Sequence, residues 1–166
     1  MFAAVPIVLA VGAVSIALVT DLRSRRVPNW LTAGAFMTGL VVNLLVFGPQ
    51  GGLSALGGGA LGFALLIPFY LLRAVGAGDV KLLAAVGALL GPQNLLVAAF
   101  GGALVGGVMS LMILARRGRI TLALHELFVM HTIPSSSGAK APYAVAIASG
   151  VYLAVVPGLP MLLFGS

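Results

Sequence analysis

Apolar positions in this chain run in long unbroken stretches, with neither the alternation of a half-buried strand nor the single stripe of a water-facing helix. Six stretches stand out: 2–19, 30–47, 53–72, 80–90, 95–115 and 141–163. Most approach the roughly 20 residues that a helix needs to cross hydrocarbon. Hydrocarbon offers no partner for backbone N–H and C=O groups, so such stretches are expected to be helices, each bonded within itself. The punctuation agrees. Gly48-Pro49-Gln50-Gly51 makes a turn between the second and third stretches, and Gly91-Pro92 stops the fourth. The fourth is the short one, and two arrangements are open there. It is either a short helix starting inside the membrane profile or the first part of one kinked helix running past Pro92, which would leave five spans.

Composition says why the solvent is lipid. The 166 residues are 61% hydrophobic and 7% charged, whereas a soluble domain carries roughly a quarter charged residues. The expected fold is therefore all-α, a polytopic membrane helix bundle of about six transmembrane helices, with residues 1–166 forming a single domain. The first stretch has no basic residue before it and ends in Thr20, Asp21 and a basic run, so it reads as a retained membrane helix and not as a cleaved signal. Cysteine is absent, which excludes disulfides and thiolate metal sites.

Charge placement orients the bundle. The basic residues are Arg23, Arg25, Arg26, Arg73, Lys81, Arg116, Arg117, Arg119 and Lys140. With six spans they all fall in the connections at about 20–29, 73–81 and 116–140, and none falls at 48–52 or 91–94. Positive loops stay in the cytoplasm, so both termini are expected on the extracytoplasmic side. Five spans would break this alternation. The same placement accounts for the net charge of +6 without a nucleic-acid partner. Glycines four apart, Gly58 and Gly62, Gly87 and Gly91, and Gly102 and Gly106, are expected to let helices pack closely in lipid.

The chain has three carboxylates: Asp21, Asp79 and Glu126. In the six-span reading, Asp21 ends the first helix and Asp79 starts the fourth, on the same membrane face. Acids there are costly and usually face protein. The simpler accounts are pairing of Asp21 with Arg23, Arg25 or Arg26, and capping of a helix N-terminus by Asp79. Gly76-Ala77-Gly78 before Asp79 adds room for close backbone approach and unusual dihedrals. Two facing carboxylates cannot both ionise, so the pair holds one proton. The ionised member then activates water while the protonated one polarises a carbonyl. That is peptide hydrolysis with no metal and no cofactor. Two carboxylates make a poor metal site, and His125 and His131 lie in another loop.

Three stretches carry a family resemblance. Asp21-Leu22-Arg23-Ser24-Arg25-Arg26-Val27-Pro28-Asn29 resembles the first signature of the type IV prepilin peptidases, an aspartate before a basic run and a Pro-Asn pair. Gly76-Ala77-Gly78-Asp79-Val80-Lys81-Leu82-Leu83 resembles their second, the GxGD aspartate followed by a lysine. GxGD alone is shared with presenilin-like proteases. Ala141-Pro142-Tyr143-Ala144-Val145-Ala146-Ile147-Ala148 resembles the opening of their last helix. The resemblance implies an intramembrane aspartic endopeptidase of the inner membrane with Asp21 and Asp79 as its catalytic pair. It implies a prepilin or pseudopilin precursor as substrate, cut between its basic leader and its apolar helix at the cytoplasmic face. The larger members carry an N-terminal extension with paired cysteines and methylate the new N-terminus. This chain is similar to the short, peptidase-only type associated with tight-adherence pili, for which no methyltransferase activity is expected.

Supporting positions are read beside the pair. Lys81 is two residues after Asp79, off its helix face, and is either a tuning or substrate-contacting cation or a cytoplasmic anchor charge. Pro28 and Asn29 are expected to form the turn and cap into the second helix, with Gly76 and Gly78 shaping the approach to Asp79. Trp30 and Tyr143 read as interfacial aromatics. The 116–140 segment, holding His125, Glu126 and His131, reads as a surface amphipathic helix. Ser135-Ser136-Ser137-Gly138 is a linker. Homo-oligomerisation is left open. The competing function is a non-enzymatic membrane protein, a small transporter or a secretion-complex scaffold, using Asp21 and Asp79 for protons or cations. Transporters place such charges near the midplane, whereas these lie at helix ends.

Overall fold

A computed structural model describes residues 4–24, 28–72, 75–116 and 143–155. The described residues form four helices: α1 Val5–Ser24, α2 Asn29–Leu71, α3 Ala77–Arg116 and α4 Tyr143–Val155. Phe2, the expected surface helix within 116–140 and the end of the last apolar stretch lie outside the described residues.

Both long helices contain one non-helical residue. Gly48 takes φ 67° and ψ −156° in α2, and Gly91 takes φ 75° and ψ 172° in α3. A proline follows each. Positive φ costs glycine nothing, an extended ψ is what a following proline demands, and proline suits the first turn of a new helix because its missing N–H would have no partner there. The chain doubles back at both points. Residues eight apart in a straight helix are about 12 Å apart, yet a Cβ built on Gly51 falls on the Asn43 carbonyl, and one built on Gly87 lies 2.9 Å from Leu95 Cδ2. Farther from the bend, Gly59 meets the Phe36 ring at 2.5 Å by the same construction. The turn expected over 48–51 is thus a single residue, Gly48, and helix resumes at Pro49. Each long helix is a pair of arms: 29–47 and 49–71 in α2, 77–90 and 92–116 in α3.

The first arm of α3 is the centre of the fold. Every residue from Leu82 to Gly91 is buried. A helix that is apolar and buried all round belongs inside a bundle, so the shortest apolar stretch lies at the centre of the packing. The second arm of α2 lies against it through glycine. A Cβ on Gly58 would strike the Gly87 carbonyl, one on Gly87 would strike the Gly58 carbonyl, and one on Gly62 would sit 2.5 Å from the Leu83 carbonyl oxygen. The first arm of α2 approaches at Gly39, whose built Cβ is 2.8 Å from the Ala88 carbonyl carbon. Buried Asn43 fastens that crossing. Its Nδ2 donates to the carbonyls of Gly39 at 2.8 Å, Ala88 at 3.0 Å and Leu89 at 3.1 Å. Ala88 needs such a donor, because its partner in a continued helix would be Pro92, which has no N–H.

α1 contributes Ala10, Val14 and Ala17 to the core, all 1% exposed or less. α4 packs on the second arm of α3, where a Cβ on Gly102 would be 2.7 Å from the Ala146 carbonyl oxygen. It also meets α1, with Ser15 Oγ and Tyr152 OH 2.6 Å apart. The outer surface is strongly apolar: Leu45, Leu53, Phe100 and Leu111 are each 64% exposed or more. Contiguous surface of this kind is not tolerated in water. α2 and the 77–112 stretch of α3 are each long and apolar enough to cross a membrane, and this is an integral, helical membrane protein.

Candidate active site

Asp21 and Asp79 belong to helices, not to the loops beside them. The first apolar stretch ends at Val19 and Asp21 is expected to close the helix; α1 runs on to Ser24. Thr20 supports that extension, its Oγ1 bonding back to the carbonyls of Ile16 and Ala17, each at 2.9 Å, and no glycine or proline intervenes before Pro28. Asp21 is therefore presented on a defined helix face. Steps of four, three and four residues connect Ala10, Val14, Ala17 and Asp21, which puts the acid on the stripe that α1 turns toward the bundle. It is half-buried, whereas Arg23 on another face is exposed.

Asp79 sits in the first turn of α3, at the helix start where the sequence puts it. Gly76 is the residue before the helix. Its carbonyl accepts the N–H groups of Asp79 at 3.1 Å and Val80 at 3.4 Å, and its own N–H donates to Asp79 Oδ2 at 3.1 Å. This is the reciprocal half of a capping box, with the third helical residue reaching back to the N-cap N–H. The bond ties one carboxylate oxygen to the start of the central arm. A Cβ on Gly76 would lie 3.2 Å from that oxygen, so glycine leaves the carboxylate room. The unusual dihedrals expected of Gly76 and Gly78 are absent: among the described residues, positive φ occurs at Gly48 and Gly91. Gly78 is an ordinary first-turn helical residue, because the cap is made by a carboxylate and a backbone carbonyl and needs no left-handed turn.

The Pro28-Asn29 pair also works differently from the expectation. Pro28, with φ −64° and ψ 137°, is the N-cap of α2 and supplies no side-chain cap. Its carbonyl receives the N–H groups of Leu31 at 3.2 Å and Thr32 at 3.3 Å. Asn29 is the first helical residue, which frees its amide, and Asn29 Oδ1 accepts a hydrogen bond from Lys81 Nζ at 3.0 Å. That bond is a tertiary link at this end of the molecule. It ties the start of α2 to the start of α3, two residues after Asp79. α1 ends five residues before Asn29. The C-terminus of α1 and the N-termini of α2 and α3 thus gather at one end of the bundle, with Asp21 and Asp79 on two of them.

Asn43 was not among the residues singled out from sequence, although an amide in the middle of an apolar stretch was a usable signal. Arg25, Arg26, Arg73, His125, Glu126, His131 and Lys140 lie outside the described residues. Of Tyr143 only the backbone, at the start of α4, is described. Trp30 is exposed at the start of α2, where an interfacial aromatic belongs. Among the described residues no cluster of His, Cys, Asp and Glu could hold a metal.

Comparison with known proteins places residues 8–111 within the type IV leader peptidase family. No curated protein and no solved structure matches the chain.

Proposed function

Given that the chain belongs to the type IV leader peptidase family, and so to a family of membrane proteases, we propose that it is an intramembrane aspartic endopeptidase whose catalytic groups are Asp21 and Asp79. The observation that carries this reading is the gathering of two acid-bearing helix ends. Asp21 continues the bundle-facing stripe of α1, Asp79 opens the buried central arm, and the Asn29–Lys81 bond links the neighbouring helix starts. A pair of carboxylates near one another holds a single proton. The ionised member takes a proton from water as the water oxygen attacks the scissile carbonyl. The protonated member gives its proton to the carbonyl oxygen. Collapse of the tetrahedral intermediate breaks the C–N bond: the leaving amine takes the proton drawn from water, and the hydroxyl made from the carbonyl returns its proton to the other carboxylate.

The substrate of this reading is a prepilin-like precursor, a basic leader joined to an apolar helix. The apolar helix shares the bilayer with the enzyme, and the leader meets the basic end of the bundle. The bends at Gly48 and Gly91 support six crossings, with both termini extracytoplasmic and the acids toward the cytoplasm. The first arm of α3 is about 21 Å long at about 1.5 Å per residue, against a hydrocarbon core of about 30 Å. Asp79 therefore lies below the membrane surface, at the depth where a leader joins a spanning helix.

Co-expression with a prepilin-like precursor, read as leader loss on a gel, tests the assignment. Asp21→Asn and Asp79→Asn should each abolish cleavage while the protein still inserts and remains helical. Cleavage surviving in either variant refutes the pair.

A further inference from the structure

We infer that Lys81 and Asn29 are positioning residues: their hydrogen bond is a clasp that fixes the separation of the two acid-bearing helix ends. The inference rests on the proteolytic reading above and adds to it the device that holds the geometry. The two acids sit on α1 and α3, which the chain connects through the whole of α2. No short stretch of backbone sets their spacing. α1 ends five positions before Asn29, so holding Asn29 limits how far the end of α1 can move away. Lys81 Nζ reaches Asn29 Oδ1 at 3.0 Å across 52 positions of sequence.

The register of α3 suits this task. At about 100° per residue, Lys81 stands roughly 200° around the helix from Asp79. The lysine can therefore be engaged on the α2 side without occupying the sector of the carboxylate. Asn29 is free to receive it because the N-cap position falls to Pro28, which leaves the asparagine amide unused by its own helix. Lys81 and Asn29 are both exposed, so the bond is not part of the packed core. Its loss loosens one end of the bundle and leaves the fold in place. Orientation of reacting groups is worth large factors in rate, and a displacement of about 1 Å can cost about a hundredfold.

The test exchanges the partners. Asn29→Lys places two ammonium groups together, and Lys81→Asn leaves two short amides that do not meet. Each single variant should lower precursor cleavage about tenfold or more. The double variant Asn29→Lys/Lys81→Asn restores a lysine–asparagine pair and should recover cleavage to within about threefold of the parent, as should Lys81→Arg, which keeps a donor of similar reach. A second readout does not depend on turnover. The chain has no cysteine, so spin labels on Arg23→Cys and Ala77→Cys report the spacing of the α1 end and the α3 start. Their distance distribution should broaden in Lys81→Asn and narrow again in the exchanged pair. A double variant no better than the worse single one, or a label distribution unchanged by Lys81→Asn, overturns the clasp. The parent reading fails separately, through cleavage by Asp21→Asn or Asp79→Asn.

Discussion

Replacing Asn43 with leucine removes one polar side chain from the middle of the bundle, and its consequence can be worked from three hydrogen bonds. Nδ2 serves the carbonyls of Ala88 and Leu89, at 3.0 and 3.1 Å, at the end of the central arm. The reversal at Gly91 and the missing N–H of Pro92 deny Ala88 an intrahelical donor. Leucine keeps the branched four-atom side chain but sets bulkier methyls against those carbonyls, so some crowding joins the polar loss. Interhelical hydrogen bonds in membrane proteins average about 0.6 kcal/mol and reach about 1.7. An orphaned buried carbonyl costs about 1–3 kcal/mol. Two carbonyls affected together put Asn43→Leu at about 1–3 kcal/mol of destabilisation. Unfolding by SDS in mixed micelles, followed by loss of helical circular dichroism, reads it directly. Asn43→Asp sharpens the comparison, because an ionised carboxylate offers no donor and faces two carbonyls. Asn43→Asp should therefore be less stable than Asn43→Leu at neutral pH. Unfolding of Asn43→Leu at the parent SDS fraction would refute the assignment of Asn43 as donor to the central arm.

Two further outcomes follow from close approaches. Gly87→Ala drives a methyl into the Gly58 carbonyl and should cost about 1–3 kcal/mol in the same unfolding assay, whereas Gly57→Ala, with open space around its Cβ, should be neutral or slightly stabilising. Gly76→Ala sets a methyl 3.2 Å from Asp79 Oδ2 and should reduce precursor cleavage several-fold with little change in unfolding, since a small carboxylate shift matters more to orientation than to packing.

How far the sequence reached depends on what each signal reports. The glycines at 58, 62, 87 and 102 were readable as packing surfaces because small residues in lipid have few other uses, and they do carry close helix approaches, although Gly150, in no such pair, meets the Ala98 carbonyl as closely. The Gly-Pro pairs were readable as breaks because positive φ and a missing N–H are local properties. The central place of 77–90 was not readable. In an apolar chain, positions facing lipid and positions facing protein have the same chemistry, so periodicity carries no inside and outside, and shortness looked like weakness. Asn29 was misjudged as a cap because capping preference is local, while its actual partner, Lys81, is distant. The acids stood out because carboxylates are rare in this chain. How far the helices run past the apolar stretches was not readable, because a cap, as at Gly76, or a back-bonding threonine, as at Thr20, continues them.

The one-residue bend at Gly48 has a consequence for biogenesis. The two arms of α2 are joined by no polar loop, so the membrane-insertion machinery has no hydrophilic segment to carry across at that point. The arms can leave the ribosome and partition into the bilayer together as a preformed hairpin, already packed through Gly51 and Gly59 before the central arm is synthesised. If Gly48 faces outward as proposed, a polar tag spliced between Gly48 and Pro49 would oblige the cell to translocate it, and insertion efficiency, more than folded stability, is the quantity that should fall.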